Sequence, residues 1–153
     1  GFALPAAIGA KMGKPEAEVW VIAGDGGFQM TACELQTCAQ EGLDINIAVI
    51  NNGYLGMVRQ WQEMFYERRY SNTPISSPDF VKLAEAHGLT GTVVHKRSEI
   101  DDAVRSAQAH KGTRLIEFRV AQEDAVYPMV PSGTALHKMI RRPRKTPAIR
   151  QDT

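Results

Sequence analysis

The sequence predicts an α/β fold, a three-layer, doubly wound, mostly parallel sheet with helices on both faces. Three observations carry that expectation. Short apolar, β-branched runs at Val19–Ala23 and Ile45–Ile50 read as strands buried on both faces. Stretches of helical character separate the strand candidates. The connections between them are short, as repeated βα units require.

Each element has its own warrant. Pro5–Met12 is a small-residue helix with proline in its first turn. Thr31, followed by Glu34, has the form of a capping box that opens a helix closed by Gly42. A helix is expected from about Leu55 to Phe65, followed by a loop, Met64–Ser77, expected to be mobile without a ligand. Ser77-Pro78-Asp79 opens another helix, which Gly88 ends. Thr92–His95 is a strand candidate, Ser98 with Asp101 caps the helix that follows, and Leu115–Val120 is the last strand.

From Ala125 the character changes. Pro128, Pro131, Pro143 and Pro147 interrupt regular structure, and Lys138, Arg141, Arg142, Arg144, Lys145 and Arg150 collect without acidic neighbours. The expectation is a domain over 1–125 and a partly disordered C-terminal arm over 126–153.

Bulk properties exclude several classes. At 153 residues, 43% hydrophobic and 23% charged, the chain has the makings of one globular domain. A formal net charge of +1 gives no bias toward nucleic acid or a membrane surface. The basic arm lacks interleaved aromatics, so neither nucleic acid nor membrane is an expected partner. No apolar run approaches the roughly 20 residues of a membrane span. The two cysteines, Cys33 and Cys38, fall on different faces of one predicted helix and read as reduced thiols. These features predict a cytoplasmic protein. The chain opens at Gly1 without methionine, directly into a fold-like segment, so a piece of a longer polypeptide is expected.

Two strand ends carry unusual polar cargo, Gly24-Asp25-Gly26-Gly27 and Asn51-Asn52-Gly53. Ligands of open α/β sheets sit beyond the carboxyl ends of the strands. Residues 27 to 50, enough for one helix and one strand, separate the two motifs, so Asp25 and Asn52 can converge on one sheet edge. A carboxylate and an amide oxygen are hard ligands suited to Mg²⁺, which shares its octahedron with phosphate oxygens. Glycines let backbone N–H groups approach a diphosphate closely. A helix beginning near Thr31 would add its dipole. Taken singly, each motif is also ordinary turn chemistry.

The spacing Gly24-Asp25-Gly26, 24 residues, Asn51-Asn52 resembles the signature of thiamine-diphosphate enzymes. The flanking segments Gly27-Phe28-Gln29-Met30-Thr31, Leu55 through Gln62, Phe65-Tyr66-Glu67 and Pro128-Met129-Val130-Pro131 resemble the acetolactate synthase large subunit, C-terminal domain. Where many relatives have Ala-Ser, this chain has Gly26-Gly27. The resemblance implies the thiamine-diphosphate-binding fold, with Asp25, Asn52 and the Tyr54 carbonyl holding Mg²⁺. It implies cofactor contacts from Gly24, Asp25, Gly26, Gly27, Asn52, Tyr54, Leu55, Gly56 and Met57. Met57 would border the reacting centre and Trp61 would line the substrate channel.

It further implies condensation of two 2-oxo acids with loss of CO₂, in branched-chain amino-acid biosynthesis. The activating glutamate would lie in an N-terminal domain outside this chain, as would the FAD site, so no catalytic residue is assigned here and the isolated chain is expected to be inactive. A homodimer or tetramer and a small regulatory subunit are the implied partners. Periodicity alone reads Leu55, Val58, Trp61 or Gln62, and Phe65 as an apolar, core-facing stripe, which leaves Met57 and Trp61 a packing role as the alternative. Sister enzymes (a pyruvate oxidase, a glyoxylate carboligase, an oxo-acid decarboxylase) fit the Asp25/Asn52 argument equally, and a non-catalytic α/β binding domain is the rival from another class.

Overall fold

The computed structural model describes residues 1–122 and 125–143. They fall into two compact units, divided between 123 and 124. The late arm residues Arg144, Lys145, Pro147 and Arg150 lie outside the described residues.

The first unit is a four-stranded sheet, all parallel, in the order β1-β2-β4-β3, with β1 at Trp20–Gly24, β2 at Asn46–Asn51, β3 at Thr90–Val94 and β4 at Arg114–Arg119. The helices are α1 (Ala3–Gly13), α2 (Asp25–Gln29), α3 (Leu35–Gln40), α4 (Gly56–Phe65), α5 (Phe80–Ala86) and α6 (Ile100–Ala109). One layer packs Leu4, Ile8, Phe28, Leu35, Phe80 and Ala84 against Val21, Ile47, Val49 and Leu115 of the sheet. Phe28 and Phe80 meet edge to face at 5.4 Å. On the other face, Ala103 and Ala107 of α6 pack with Val94, Ile116 and Phe118. The alternation of β4 explains both layers: Leu115 and Ile116 are adjacent in sequence yet serve opposite faces.

The three-layer, doubly wound expectation therefore holds. Several local expectations do not. Thr31 makes no capping bond; its hydroxyl donates to the Gly1 carbonyl at 3.1 Å. Glu34 instead accepts from the Thr37 hydroxyl at 2.8 Å. The predicted single helix is divided: α2 begins at Asp25 itself, a 3₁₀ turn spans Ala32–Glu34, and α3 follows. Cys33, exposed, thus lies in the turn and Cys38, buried, in α3; both are free. Ser98 and Asp101 do not cap α6. Glu99 accepts the N–H groups of His95 and Lys96 at 2.8 and 3.1 Å and fixes that entry. Asp79 does cap α5, accepting the Lys82 N–H at 3.0 Å.

The largest correction concerns α4. Its buried residues are Arg59 and Gln60, while Leu55, Met57, Val58, Trp61 and Phe65 are exposed. The apolar stripe is real, but it faces away from this chain's core. Arg59 takes the inward position by pairing with Glu63 at 3.4 Å and lying over the rings of Tyr54 and Tyr70, at 5.0 and 4.9 Å. The ion pair and the two ring faces offset part of the cost of burying that guanidinium.

The second unit has little regular structure among its described residues, as its prolines predict. Met129 and Ile140 exchange backbone hydrogen bonds at 2.9 and 2.7 Å, and a 3₁₀ turn spans Leu136–Lys138. The Arg142 guanidinium sits 5.4 Å from the Tyr127 ring centre.

Candidate functional site

The C-terminal ends of β1 and β2 are neighbours because Gly24 pairs with Ile50 in the parallel register. The next residue of each chain is polar and buried: Asp25 at 1% exposure and Asn51 at 4%. Both follow the alternation that points Val21, Ala23, Ile47 and Val49 into the main core. Strand geometry, therefore, puts a carboxylate and an amide side by side at the rim of that core.

The Gly53 backbone N–H ties the two strand ends together. It donates to Asp25 Oδ2 at 3.0 Å and to Asn51 Oδ1 at 3.1 Å. The Ser77 hydroxyl also donates to Asp25 Oδ2, at 3.3 Å. Asn52 Oδ1 accepts the Tyr54 N–H at 3.1 Å, closing the turn. Gly53 has φ +70°, a conformation that glycine adopts without cost. Ile75 N–H donates to the Gly53 carbonyl at 2.9 Å and Leu55 N–H to the Thr73 carbonyl at 2.8 Å, so the loop after α4 is strapped along the turn. Gln62 holds the same loop through Ser71 and Thr73.

Two of the glycines predicted for the site are closely approached by neighbouring side chains. A Cβ on Gly26 would come within 3.1 Å of Ile75 and Leu55 side-chain atoms, and one on Gly56 within 3.2 Å of Asn52 Nδ2. Gly24 has open space around it, and so, to within 4 Å, does Gly27. Met57 and Trp61 are 53% and 42% exposed on α4, and Trp61 stacks edge to face on Phe65 at 5.5 Å.

A buried carboxylate normally demands a positive partner. Among the described residues, Asp25 receives hydrogen bonds only from Gly53 and Ser77, and no lysine, arginine or histidine pairs with it. No group of three His, Cys, Asp or Glu side chains gathers anywhere among the described residues. Any cation at this edge would therefore need amide or carbonyl oxygens and non-protein ligands beside Asp25. That donor set fits Mg²⁺ shared with a diphosphate.

The sequence reading overlooked Asn51 as an individual, Ser77, and the pair Glu117 and Arg119. Glu117 is 1% exposed; its Oε1 accepts from Asn51 Nδ2 at 2.6 Å and pairs ionically with Arg119, whose Nε is 2.7 Å away. One signal could have exposed it: a lone glutamate in the apolar run of β4, on the core-facing register.

This architecture and this sheet edge define a cofactor-binding domain of the thiamine-dependent class. The chain belongs to the thiamine pyrophosphate enzyme family, C-terminal TPP binding domain, whose family model matches residues 1–118. It is 54% identical to an acetolactate synthase of Mycobacterium avium over an alignment of 141 positions that covers 88% of this chain and 23% of that protein. It is 50% identical to the acetolactate synthase large subunit of Corynebacterium glutamicum and 46% identical to the mitochondrial acetolactate synthase catalytic subunit of Saccharomyces cerevisiae. The chain spans about a quarter of the length of such relatives. A solved structure, the thiamine diphosphate-dependent 4-hydroxybenzoylformate decarboxylase of Rhodococcus jostii RHA1, matches 81% of this chain and 24% of its own with TM-score 0.75 and 31% identity. Among the described residues, no helix is long and apolar enough to cross a membrane.

Proposed function

We propose that this domain anchors the Mg²⁺–diphosphate end of thiamine diphosphate (thiamine pyrophosphate) within an acetolactate synthase. Asp25, Asn52 and the Tyr54 carbonyl would be the protein ligands of Mg²⁺. The observation that carries this reading is the buried Asp25 carboxylate, held 3.0 Å from the Gly53 N–H and, among the described residues, paired with no cationic side chain. Both hydrogen bonds fall on Oδ2, which leaves Oδ1 for a metal. Asn52 Oδ1 keeps a second lone pair after accepting from Tyr54.

When bound, the cofactor supplies the electron sink for decarboxylating a 2-oxo acid and joining the remainder to a second one. The chain's own residues bind, orient and exclude water. Gly24, Gly26 and Gly27 keep the floor beside Asp25 low. Leu55, Gly56 and Met57 form the wall where α4 begins. Met57 and Trp61 present apolar surface outward, suited to lining a substrate channel completed by other parts of the enzyme. The activating glutamate, the FAD site, the homodimer or tetramer contacts, a small regulatory subunit and a cytoplasmic setting belong to the whole enzyme. The identities of 46–54% to acetolactate synthases, against 31% to the decarboxylase, support the first reaction over the second.

Calorimetric titration of thiamine diphosphate with and without Mg²⁺, on wild type, Asp25→Ala and Asn52→Ala, tests the anchor. Mg²⁺-dependent binding should be lost in both variants; equal binding by all three proteins would refute it. Acetolactate formation from pyruvate by the full-length enzyme tests the reaction.

A further inference from the structure

Two of the three proposed cation ligands, Asn52 and the Tyr54 carbonyl, descend from one turn, Asn51 to Tyr54, and the orientation of that turn depends on a side chain two strands from Asp25. β2 pairs with β4 so that Val49 lies beside Glu117 and Asn51 beside Arg119. Glu117 Oε1 accepts a hydrogen bond from Asn51 Nδ2 at 2.6 Å and forms an ion pair with Arg119, whose Nε lies 2.7 Å away. Asn51 is 4% exposed, so its amide finds its partners within the protein. An amide presents either a carbonyl oxygen or an NH₂ group to a neighbour, and the choice is made by its partners. With Nδ2 committed to the carboxylate, Oδ1 must face the Gly53 N–H, as found at 3.1 Å. The reversed amide would set NH₂ against N–H.

We infer that Glu117, charge-balanced by Arg119, is a positioning residue: it selects the Asn51 amide orientation and thereby sets the Asn52–Tyr54 turn for the cation. The inference rests on the proposed Mg²⁺–diphosphate site. It adds a residue outside the GDG and NN motifs. Charge-assisted hydrogen bonds of this length are the strong ones in a protein interior. The Arg119 side chain is half exposed, so it offsets the buried charge without itself being desolvated.

Two readouts on the full-length enzyme separate this role from simple packing. The first is amide hydrogen exchange of the Gly53 segment by mass spectrometry, without cofactor. The second is calorimetric titration with thiamine diphosphate in the presence of Mg²⁺. Glu117→Met keeps the volume and removes both acceptors. It should lower Gly53 protection, which the Asp25 bond alone then maintains, and weaken cofactor binding by about tenfold, the lower end of the range for residues that support a metal ligand. Glu117→Gln still offers an oxygen to two donors and should stay within about threefold of wild type, since each lost increment of 1.4 kcal/mol is tenfold. In an Asn51→Ala background, Glu117→Met should have no further effect, because its action passes through Asn51. A folded Glu117→Met with wild-type Gly53 exchange and affinity overturns the inference, as do additive losses in the double variant. If Glu117→Met does not fold, Asn51→Ala decides alone: Gly53 protection and cofactor affinity both equal to wild type sink the idea, since the Asp25 bond by itself would then set the turn. A wild-type chain that shows no Mg²⁺-dependent binding would remove the metal-site reading, while the exchange data would still decide whether Glu117 sets the turn.

Discussion

Asp25 and Asn51, 26 residues apart, share a single donor: the Gly53 N–H lies 3.0 Å from one side-chain oxygen and 3.1 Å from the other. Sharing locks the two strand ends together before any ligand arrives. It also separates the structural from the binding role of the carboxylate. Asp25→Asn retains an oxygen for Gly53 and should change unfolding free energy by only about 1 kcal/mol. It removes the charge a divalent cation needs, so Mg²⁺-dependent binding of thiamine diphosphate should fall well over tenfold. Denaturant unfolding and calorimetry on one preparation check both halves.

Gly56 illustrates a glycine kept for its neighbour. Alanine is normally favoured over glycine in a helix by close to 1 kcal/mol. At Gly56 the added Cβ would stand 3.2 Å from Asn52 Nδ2 and push that side chain aside. Gly56→Ala should therefore leave stability equal or higher while weakening cofactor binding. Thermal melts compared with calorimetry would show the two moving in opposite directions; parallel losses would contradict the account.

The outward stripe of α4 predicts an asymmetry in core and surface aromatics. Trp61 is 42% exposed and Phe80 fully buried. Phe80→Ala should cost about 3–5 kcal/mol, the range for an aromatic removed from a packed interior. Trp61→Ala should cost about 1 kcal/mol or less in this chain, yet alter substrate kinetics in the full-length enzyme. Urea titration of the two variants distinguishes them.

Asp79 gives a pH signature. The Lys82 backbone N–H, assisted by the Lys82 side chain, holds its carboxyl below the ordinary value of 3.8. A lowered carboxyl contributes stability that is complete above its ordinary range and lost as pH falls through the folded-state value. Wild type should thus lose more stability than Asp79→Ala on acidification below about pH 4. Thermal midpoints measured from pH 6 to pH 2 would test the sign.

The two thiols should separate kinetically. Burial pushes the Cys38 thiol up, only partly offset by the Thr113 hydroxyl, whereas Cys33 is exposed. A thiol reagent at pH 8 should label one cysteine quickly in the folded chain and both only in denaturant. Rapid labelling of two would mean that α3 is less well packed than its contacts indicate.

The parallel sheet was legible in sequence because buried strands leave long apolar runs, and Val19–Ala23 and Ile45–Ile50 matched β1 and β2 to within a residue. The convergence of Asp25 with the Asn51–Gly53 turn was legible for the same reason: strand ends of one parallel sheet share an edge. Caps were less readable. Thr31 and Ser98 had the right chemistry, but Gly1 competed for one and Glu99 replaced the other.

The order of local patterns along the chain determined the fold class, the site motif and the family. Tertiary structure alone decided that α4 buries Arg59 and exposes Trp61, and that Glu117 stands beneath Asn51. Periodicity reports that a helix has an apolar side but not which way that side turns. A hydrogen bond between residues 66 apart leaves no trace in local sequence, since only strand register brings its donor to its acceptor.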